Sequence, residues 1–277
     1  MVMFRVDFGG DIGLGHLKRS LVYAKNYDKV TYVSKNDMKE FVPYPLYSIK
    51  DESEFFALVE KLQPCEVIID NYNFTLEHEK TFKKSFPDIK LSVFDDDYRE
   101  HYCDEIINHN ISADKNRYKD PSIVKIIPPL IRDEFIEEKD KKREKIYDIF
   151  ISLGGADATG LNIALLQILP KDKKIALLTT SVNKNLKELR EFVKNRENIF
   201  LHIDSNEVAK LLNQSKFAIV TPSVIVHEVL YMGTPFVAIK TADNQSDIFE
   251  YLRKSGYEVY QNLEEMREKY ENSHTYY

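Results

Sequence analysis

Short β-rich runs separated by helix-period segments recur along almost the whole chain, and this alternation most narrows the folds open to it. A first series comprises MFRVDF at 3–8, KVTYVS at 29–34, EVIID at 66–70 and LSVFD at 91–95. Helical patterns such as Leu14 to Tyr27 and Ser53 to Leu62 lie between them. A second series starts with YDIFISLGG at 147–155 and continues with KIALLTT at 174–180, NIFLHI at 198–203, FAIVT at 217–221 and PFVAI at 235–239. This is the βαβ rhythm of parallel sheets with helices on both faces. The fold class is therefore α/β, with two Rossmann-like domains expected to face each other across a cleft. Between the series stand Pro128-Pro129 and the charged stretch RDEFIEEKDKKREK at 132–145. Adjacent prolines exclude a helix through that point, and the charge run has little to bury, so it reads as a linker or an exposed connecting helix. The expected domains are 1–139 and 140–277. Open α/β sheets bind ligands at the carboxyl ends of their strands, which makes the cleft the natural ligand site.

Charge and cysteine content bound the function. The 277 residues carry 39 Lys plus Arg against 45 Asp plus Glu, a formal net charge of −6. No nucleic-acid partner is expected from that balance, since such binding rests on phosphate neutralisation by a basic surface. An anionic ligand must be held by local geometry instead. Only Cys65 and Cys103 could pair, too few to staple a chain of this size, so stability rests on the core in a reducing compartment. The opening MVMFRVDF reads as a strand rather than a signal peptide. No apolar stretch approaches the roughly 20 residues that span a bilayer. No membrane partner and a cytoplasmic address follow as expectations, with a monomer as the default state.

Four strand ends could carry chemistry. After the first strand comes Gly9-Gly10-Asp11-Ile12-Gly13-Leu14-Gly15-His16, followed by a helix face marked by Leu17, Leu21 and Ala24. Glycines before a helix allow close backbone approaches that a Cβ would forbid. At a helix start the positive end of the dipole disfavours imidazolium and helps keep His16 a neutral proton acceptor. A structural cap is the bland alternative. The second sheet opens alike: IFISL runs into Gly154-Gly155-Ala156-Asp157, whose backbone N–H groups could hold a diphosphate, or which forms a tight turn with Asp157 as an N-cap. After FAIVT, Thr221-Pro222-Ser223 begins a helix on which Glu228 could accept two hydrogen bonds from a ribose diol. Asp243-Asn244-Gln245 ends the following strand in the same way. Three such turns in one half point to a nucleotide-diphosphate pocket.

Taken together, the segments FRVD at 4–7, IGLGHLKR at 12–19, IIDNY at 68–72, FDD at 94–96, HYCD at 101–104, LIRDEF at 130–135, SLGGAD at 152–157, Ser223 with Glu228, and Asn244-Gln245 resemble one family. It is the UDP-sugar hydrolases of pseudaminic acid synthesis, which share the two-domain architecture of GT-B glycosyltransferases. The resemblance covers nearly the whole chain. It implies removal of UDP from UDP-2,4-diacetamido-2,4,6-trideoxy-β-L-altrose by water attack at the anomeric carbon, with inversion, without a metal and without a cofactor. His16 resembles the catalytic histidine. Tyr72 and Asn244 resemble residues lining the reacting sugar, Gly154 and Gly155 the diphosphate loop, and Glu228 the ribose ligand. The resemblance also makes Gly13, Gly15, Arg19, Ser223 and Gln245 candidate substrate contacts.

Rival readings remain at this level. A GT-B glycosyltransferase would transfer the sugar to an acceptor, and a non-catalytic nucleotide-sugar binding protein would make His16 irrelevant. Asp95-Asp96-Asp97 could be taken for a metal-binding acidic run, but after a strand such a run more often caps a turn. His101, Cys103 and His109 fit no closed four-ligand zinc spacing, and core packing is the expectation for them.

Overall fold

The computed structural model describes residues 1–9, 14–155, 157 and 160–273; Gly13, a candidate substrate contact, lies outside them. The chain divides into two compact units, Met1–Leu130 and Ile131–Tyr277. Each is built on a parallel sheet. Among the described residues no helix is long and apolar enough to cross a membrane.

The first unit holds β1 (Val2–Val6), β2 (Val30–Ser34), β3 (Leu46–Ser48), β4 (Glu66–Asp70), β5 (Lys90–Phe94), β6 (Glu105–Asn108) and β7 (Val124–Ile126). Their order in the sheet is β3-β2-β1-β4-β5-β6-β7. Helices α1 (Gly15–Ala24), α2 (Glu52–Leu62) and α3 (Leu76–Ser85) cover it. Successive strand residues feed opposite faces: Phe4, Val6 and Ile68 pack with Leu17 and Tyr23 of α1, while Met3, Val67 and Ile69 pack with Phe55 and Val59 of α2 and Phe82 of α3. Burial on both faces explains why these strands read as continuous apolar runs rather than alternating ones. Arg5 is the exception inside β1. It is fully buried, with its guanidinium held by Asp7 at 2.6 Å and by Glu52 at 2.7 Å.

The chain grows outward from β1 through β2 and β3, then returns to the other side of β1 with β4. Connections leaving β1 and β4 therefore diverge, and a crevice is left at their carboxyl ends.

The second unit repeats this plan. Its strands β8 (Tyr147–Ser152), β9 (Ile175–Thr179), β10 (Ile199–Ile203), β11 (Ser215–Val220), β12 (Phe236–Ile239) and β13 (Val259–Tyr260) lie in the order β10-β9-β8-β11-β12-β13. The reversal falls between β8 and β11. Helices α4 (Asp133–Glu138), α5 (Leu161–Ile168), α6 (Leu186–Val193), α7 (Val208–Asn213), α8 (Val224–Met232), α9 (Ser246–Lys254) and α10 (Leu263–Ser273) complete it.

The charged stretch after Pro128-Pro129 is an exposed connector only in its second half, where Lys139, Asp140, Lys141, Lys142, Glu144 and Lys145 are exposed; its first half is a docked helix. The division falls before it, ahead of the break expected near residue 140, and α4 belongs to the second unit. Phe135 on α4 is fully buried, Glu134 Oε2 accepts from the Ala209 N–H at 3.3 Å, and Asn213 Nδ2 donates to the Glu138 carbonyl at 3.1 Å. One aromatic anchor and paired acids suffice to dock a short helix whose composition looks solvated. On the other side of the division, Ile127 and Leu130 pack against the core of the first unit.

His101 ties the segment after β5 back to α3. Its side chain is almost completely buried, with Nδ1 2.8 Å from Glu79 Oε1 and Nε2 3.3 Å from Asp95 Oδ1. Burial alone would push the imidazole down, but the Asp95 and Glu79 carboxylates outweigh it and push it up to about 9. Since the folded value exceeds the ordinary 6.5, the stabilisation is complete below pH 6.5 and is lost as pH rises through about 9. Chemical denaturation across that window should show the first unit losing stability on the order of 3 kcal/mol. His101→Gln should flatten the dependence; an unchanged slope in that variant would assign it to another group.

Candidate active site

The candidate centre of the first unit lies at the reversal between β1 and β4. Helix α1 opens at Gly15, so His16 stands in its first turn, and Arg19 follows on the same face three residues later. Strand β4 ends on Asp70. His16 Nδ1 lies 2.6 Å from Asp70 Oδ1. Arg19 grips the same carboxylate with Nε to Oδ2 at 2.8 Å and Nη2 to Oδ1 at 2.6 Å, and its Nη1 donates to Asp96 Oδ2 at 2.7 Å just beyond β5. Tyr72, two residues past the end of β4, donates its hydroxyl to Asp96 Oδ1 at 2.7 Å. Its ring meets the His16 imidazole edge-on, with 4.7 Å between centroids. The Arg99 guanidinium lies 5.1 Å from the centroid of the Tyr72 ring and donates to the Tyr72 carbonyl at 2.9 Å.

The electrostatics follow from these contacts. Asp70 is fully buried, which opposes ionisation, yet Arg19 and His16 outweigh burial and hold its carboxyl well below the usual carboxylate range. Asp96 is held down in the same way by Arg19 and the Tyr72 hydroxyl against the opposing effect of burial. The His16 side chain is 12% exposed, and among the described residues its Nε2 has no hydrogen-bond partner. The arrangement is an oriented imidazole with one nitrogen committed to a carboxylate and the other left for an outside proton.

In the second unit, the expected contacts fall at the carboxyl ends of β8, β11 and β12, which are neighbours in the sheet. Gly154 has φ +90°, the left-handed region that favours glycine, and a Cβ on Gly155 would stand 2.8 Å from the Thr180 side chain. Thr180 Oγ1 donates to the Gly155 carbonyl at 2.9 Å. Ser223 stands at the N-cap position of α8 without a side-chain capping hydrogen bond, its Oγ lying 2.9 Å from Thr221 Oγ1. Further along α8, Glu228 is buried and takes a two-pronged grip from Arg132, Nε to Oε1 at 2.5 Å and Nη2 to Oε2 at 2.8 Å. Asn244 is exposed on a 3-10 turn, Asp243–Gln245, before α9. Gln245 folds back, its Oε1 accepting from the Thr241 N–H at 2.8 Å.

The structure thus brings His16, Arg19 and Tyr72 together in one unit, and sets Gly154, Gly155, Ser223, Glu228 and Asn244 at adjacent strand ends in the other. Arg19, expected among the substrate contacts, is buried with its donors spent on Asp70 and Asp96. Gln245 spends its amide on its own loop. Sequence reasoning assigned no role to Asp70 or Arg132 and read Asp96 only as part of a turn-capping acidic run, although each sits inside a quoted segment. The available signal was an acid closing an apolar strand, as in IIDNY. Two acids of the Asp95–Asp97 run face cations: Asp95 Oδ1 lies 3.4 Å from Arg99 Nε, and Asp96 is bound to Arg19.

No family model matches the chain. Solved structures similar to it share the fold at low identity. The Methanocaldococcus jannaschii UDP-GlcNAc 2-epimerase, solved with UDP-GlcNAc and UDP, superposes with a TM-score of 0.66 at 12% identity, over 100% of this chain and 94% of that one. Acinetobacter baumannii MurG gives 0.62 at 13% identity, over 95% and 86%. These likenesses show the GT-B-type fold and say nothing of chemistry. In sequence, the chain is 36% identical over 274 residues to the UDP-2,4-diacetamido-2,4,6-trideoxy-β-L-altropyranose hydrolase of Campylobacter jejuni, covering 93% of this chain and 98% of that protein. At that identity and coverage, the chain belongs to the family of that UDP-sugar hydrolase.

Proposed function

We propose that the protein hydrolyses UDP-2,4-diacetamido-2,4,6-trideoxy-β-L-altropyranose to UDP and the free sugar, as its Campylobacter jejuni relative is named to do, in the synthesis of pseudaminic acid. The observation that carries the reading is the 2.6 Å contact between His16 and Asp70 at the strand reversal, in a chain of this family. A histidine held this way is equipped to take a proton from water. A protein that only bound the nucleotide sugar would have no use for it.

UDP is already a good leaving group, so no strong general acid is needed. His16 Nε2 takes one proton of a water molecule while the water oxygen bonds to the anomeric carbon. The bond from that carbon to the β-phosphate oxygen breaks, and its electron pair leaves with UDP. Water enters on the face opposite the departing diphosphate, so the configuration inverts. No step calls for a metal. Backbone N–H groups around Gly154, Gly155 and the start of α8 receive the charge building on the diphosphate, which suits a chain of net charge −6. Glu228 accepts from the ribose diol, Asn244 and Tyr72 line the sugar, and Ser223 contributes at the phosphates. Gly15, where an added Cβ would meet no atom within 4 Å, leaves room for the substrate beside His16. Arg19 acts through the acids it holds, without touching the sugar.

Purified protein given the UDP-sugar and no acceptor should release UDP and free sugar at an undiminished rate in chelator, with proton NMR showing the inverted anomer first. His16→Ala should lower turnover at least 1,000-fold, within the range of general-base and positioning effects. UDP binding by that variant should stay within a few fold. Near-normal hydrolysis by it would remove His16 from the mechanism, and transfer that requires an added acceptor would favour a glycosyltransferase. Glu228→Gln weakens the acceptor while keeping its shape. Calorimetry should show UDP binding reduced about tenfold, the equivalent of roughly 1.4 kcal/mol; equal affinity would place the ribose elsewhere.

A further inference from the structure

The contacts around His16 say which of its nitrogens carries the proton. Asp70 Oδ1 and His16 Nδ1 are 2.6 Å apart, and two unprotonated acceptors, one of them anionic, repel at that distance. A proton must lie between them. It does not belong to the carboxyl, because Asp70 already accepts from Arg19 Nε on Oδ2 and Arg19 Nη2 on Oδ1, and those donors favour its ionised form. The proton therefore sits on Nδ1, which donates to Asp70. Arg19 Nη2 also lies 3.0 Å from Nδ1. That contact alone would favour the opposite tautomer, with the guanidinium donating to a bare Nδ1. Such a tautomer leaves the shorter 2.6 Å contact without a hydrogen, so the shorter contact decides.

We propose that Asp70 is the positioning residue for His16, holding the imidazole with its proton on Nδ1 and its Nε2 lone pair outward for the water's proton, and that Arg19 serves the reaction by pinning that carboxylate. The assignment rests on the hydrolase reading and deepens it. When Nε2 takes the water's proton, the ring becomes an imidazolium whose positive charge faces a carboxylate across the existing hydrogen bond. Asp70 does not take the proton itself, because Arg19 keeps two donors on its oxygens throughout. Asp96 completes the arrangement by accepting the third arm of Arg19 and the Tyr72 hydroxyl, and the Tyr72 ring stands edge-on to the imidazole. Both sides of the His16 ring are thus supported by groups that never touch the reacting carbon.

The test begins with the wild-type protein, labelled with nitrogen-15 in its histidines, at a pH where the His16 imidazole is neutral. The His16 signals are identified by their loss in His16→Gln. Nδ1 should show the protonated, N–H-coupled signature and Nε2 the bare one. A proton found on Nε2 overturns the proposal, whether or not the protein proves to be a hydrolase. A correct tautomer in a protein that releases no UDP would sink the hydrolase reading alone. Asp70→Asn then separates positioning from binding. The variant should keep KM within about threefold and lose 100-fold or more in kcat, as when a histidine is left free to adopt the wrong tautomer. Its His16 signals should shift towards the Nε2-protonated form. Wild-type kcat in Asp70→Asn also overturns the proposal. Should Asp70→Asn fail to fold with Arg19 left underpaired, the wild-type spectrum decides by itself.

Discussion

A guanidinium withdrawn from water stays in a protein only where carboxylates meet its donors, and Arg19 is such a group, 5% exposed and gripped by Asp70 and Asp96. Much of the first unit's carboxyl edge depends on this one cation. Arg19 lies on α1, Asp70 ends β4 and Asp96 follows β5, so its three arms tie the helix after the first strand to the ends of the next two strands on that side of the sheet. Breaking a buried pair from one side leaves an uncompensated charge and costs about 3–5 kcal/mol. The position of α1 is fixed accordingly, and with it the aim of His16. The same cation sets the chemistry, since two acids that would otherwise resist ionisation in the interior are kept charged beside an imidazole.

Both units place a strand reversal between two central strands of a parallel sheet, yet they furnish its carboxyl end with opposite chemistry. At the reversal between β1 and β4 the chain supplies acids, a guanidinium and an imidazole, the set needed to orient a base. At the reversal between β8 and β11 it supplies glycines and a helix start, the set that presents N–H groups to an anion without side-chain charge. The sheet topology is shared and the side chains differ. Fold likeness to glycosyltransferases and epimerases accordingly says little about the reaction, and the choice of hydrolysis rests on family membership and on the histidine.

All nine strands expected from apolar runs are present, because strands buried on both faces advertise themselves as such runs. The four among the described residues that went unread, β3, β6, β7 and β13, are two to four residues long, too short for any periodicity to register. Helix α4 misled for a different reason: its charged composition hid a single buried aromatic, Phe135, and acids that pair within the second unit. At the site, His16 was legible from its place between a glycine loop and a helix face. Its partner was not, because Asp70 lies 54 residues further along and only the β1-β4 pairing brings the two together. Arg19 shows the converse limit. An arginine on a helix beside a glycine loop reads as a ligand contact, and only the tertiary structure reveals that its donors are already taken.

The same long-range logic explains how Glu228 could serve as a ribose ligand despite being 2% exposed. A buried carboxylate without a cation beside it favours its neutral form, and a neutral carboxyl would offer a donor where a diol needs an acceptor. Arg132 supplies the cation through two parallel hydrogen bonds, the geometry in which a guanidinium fixes both the charge and the plane of its partner. Each carboxylate oxygen can accept more than one hydrogen bond, so the grip does not by itself exhaust Glu228. Arg132 is also the N-cap residue of α4, the helix docked by Phe135 immediately after the chain enters the second unit. The docking of α4 and the orientation of Glu228 are therefore one structural condition. A substitution that loosens Phe135 would be felt at Glu228 through the displacement of Arg132, with no change in any residue proposed to touch the nucleotide.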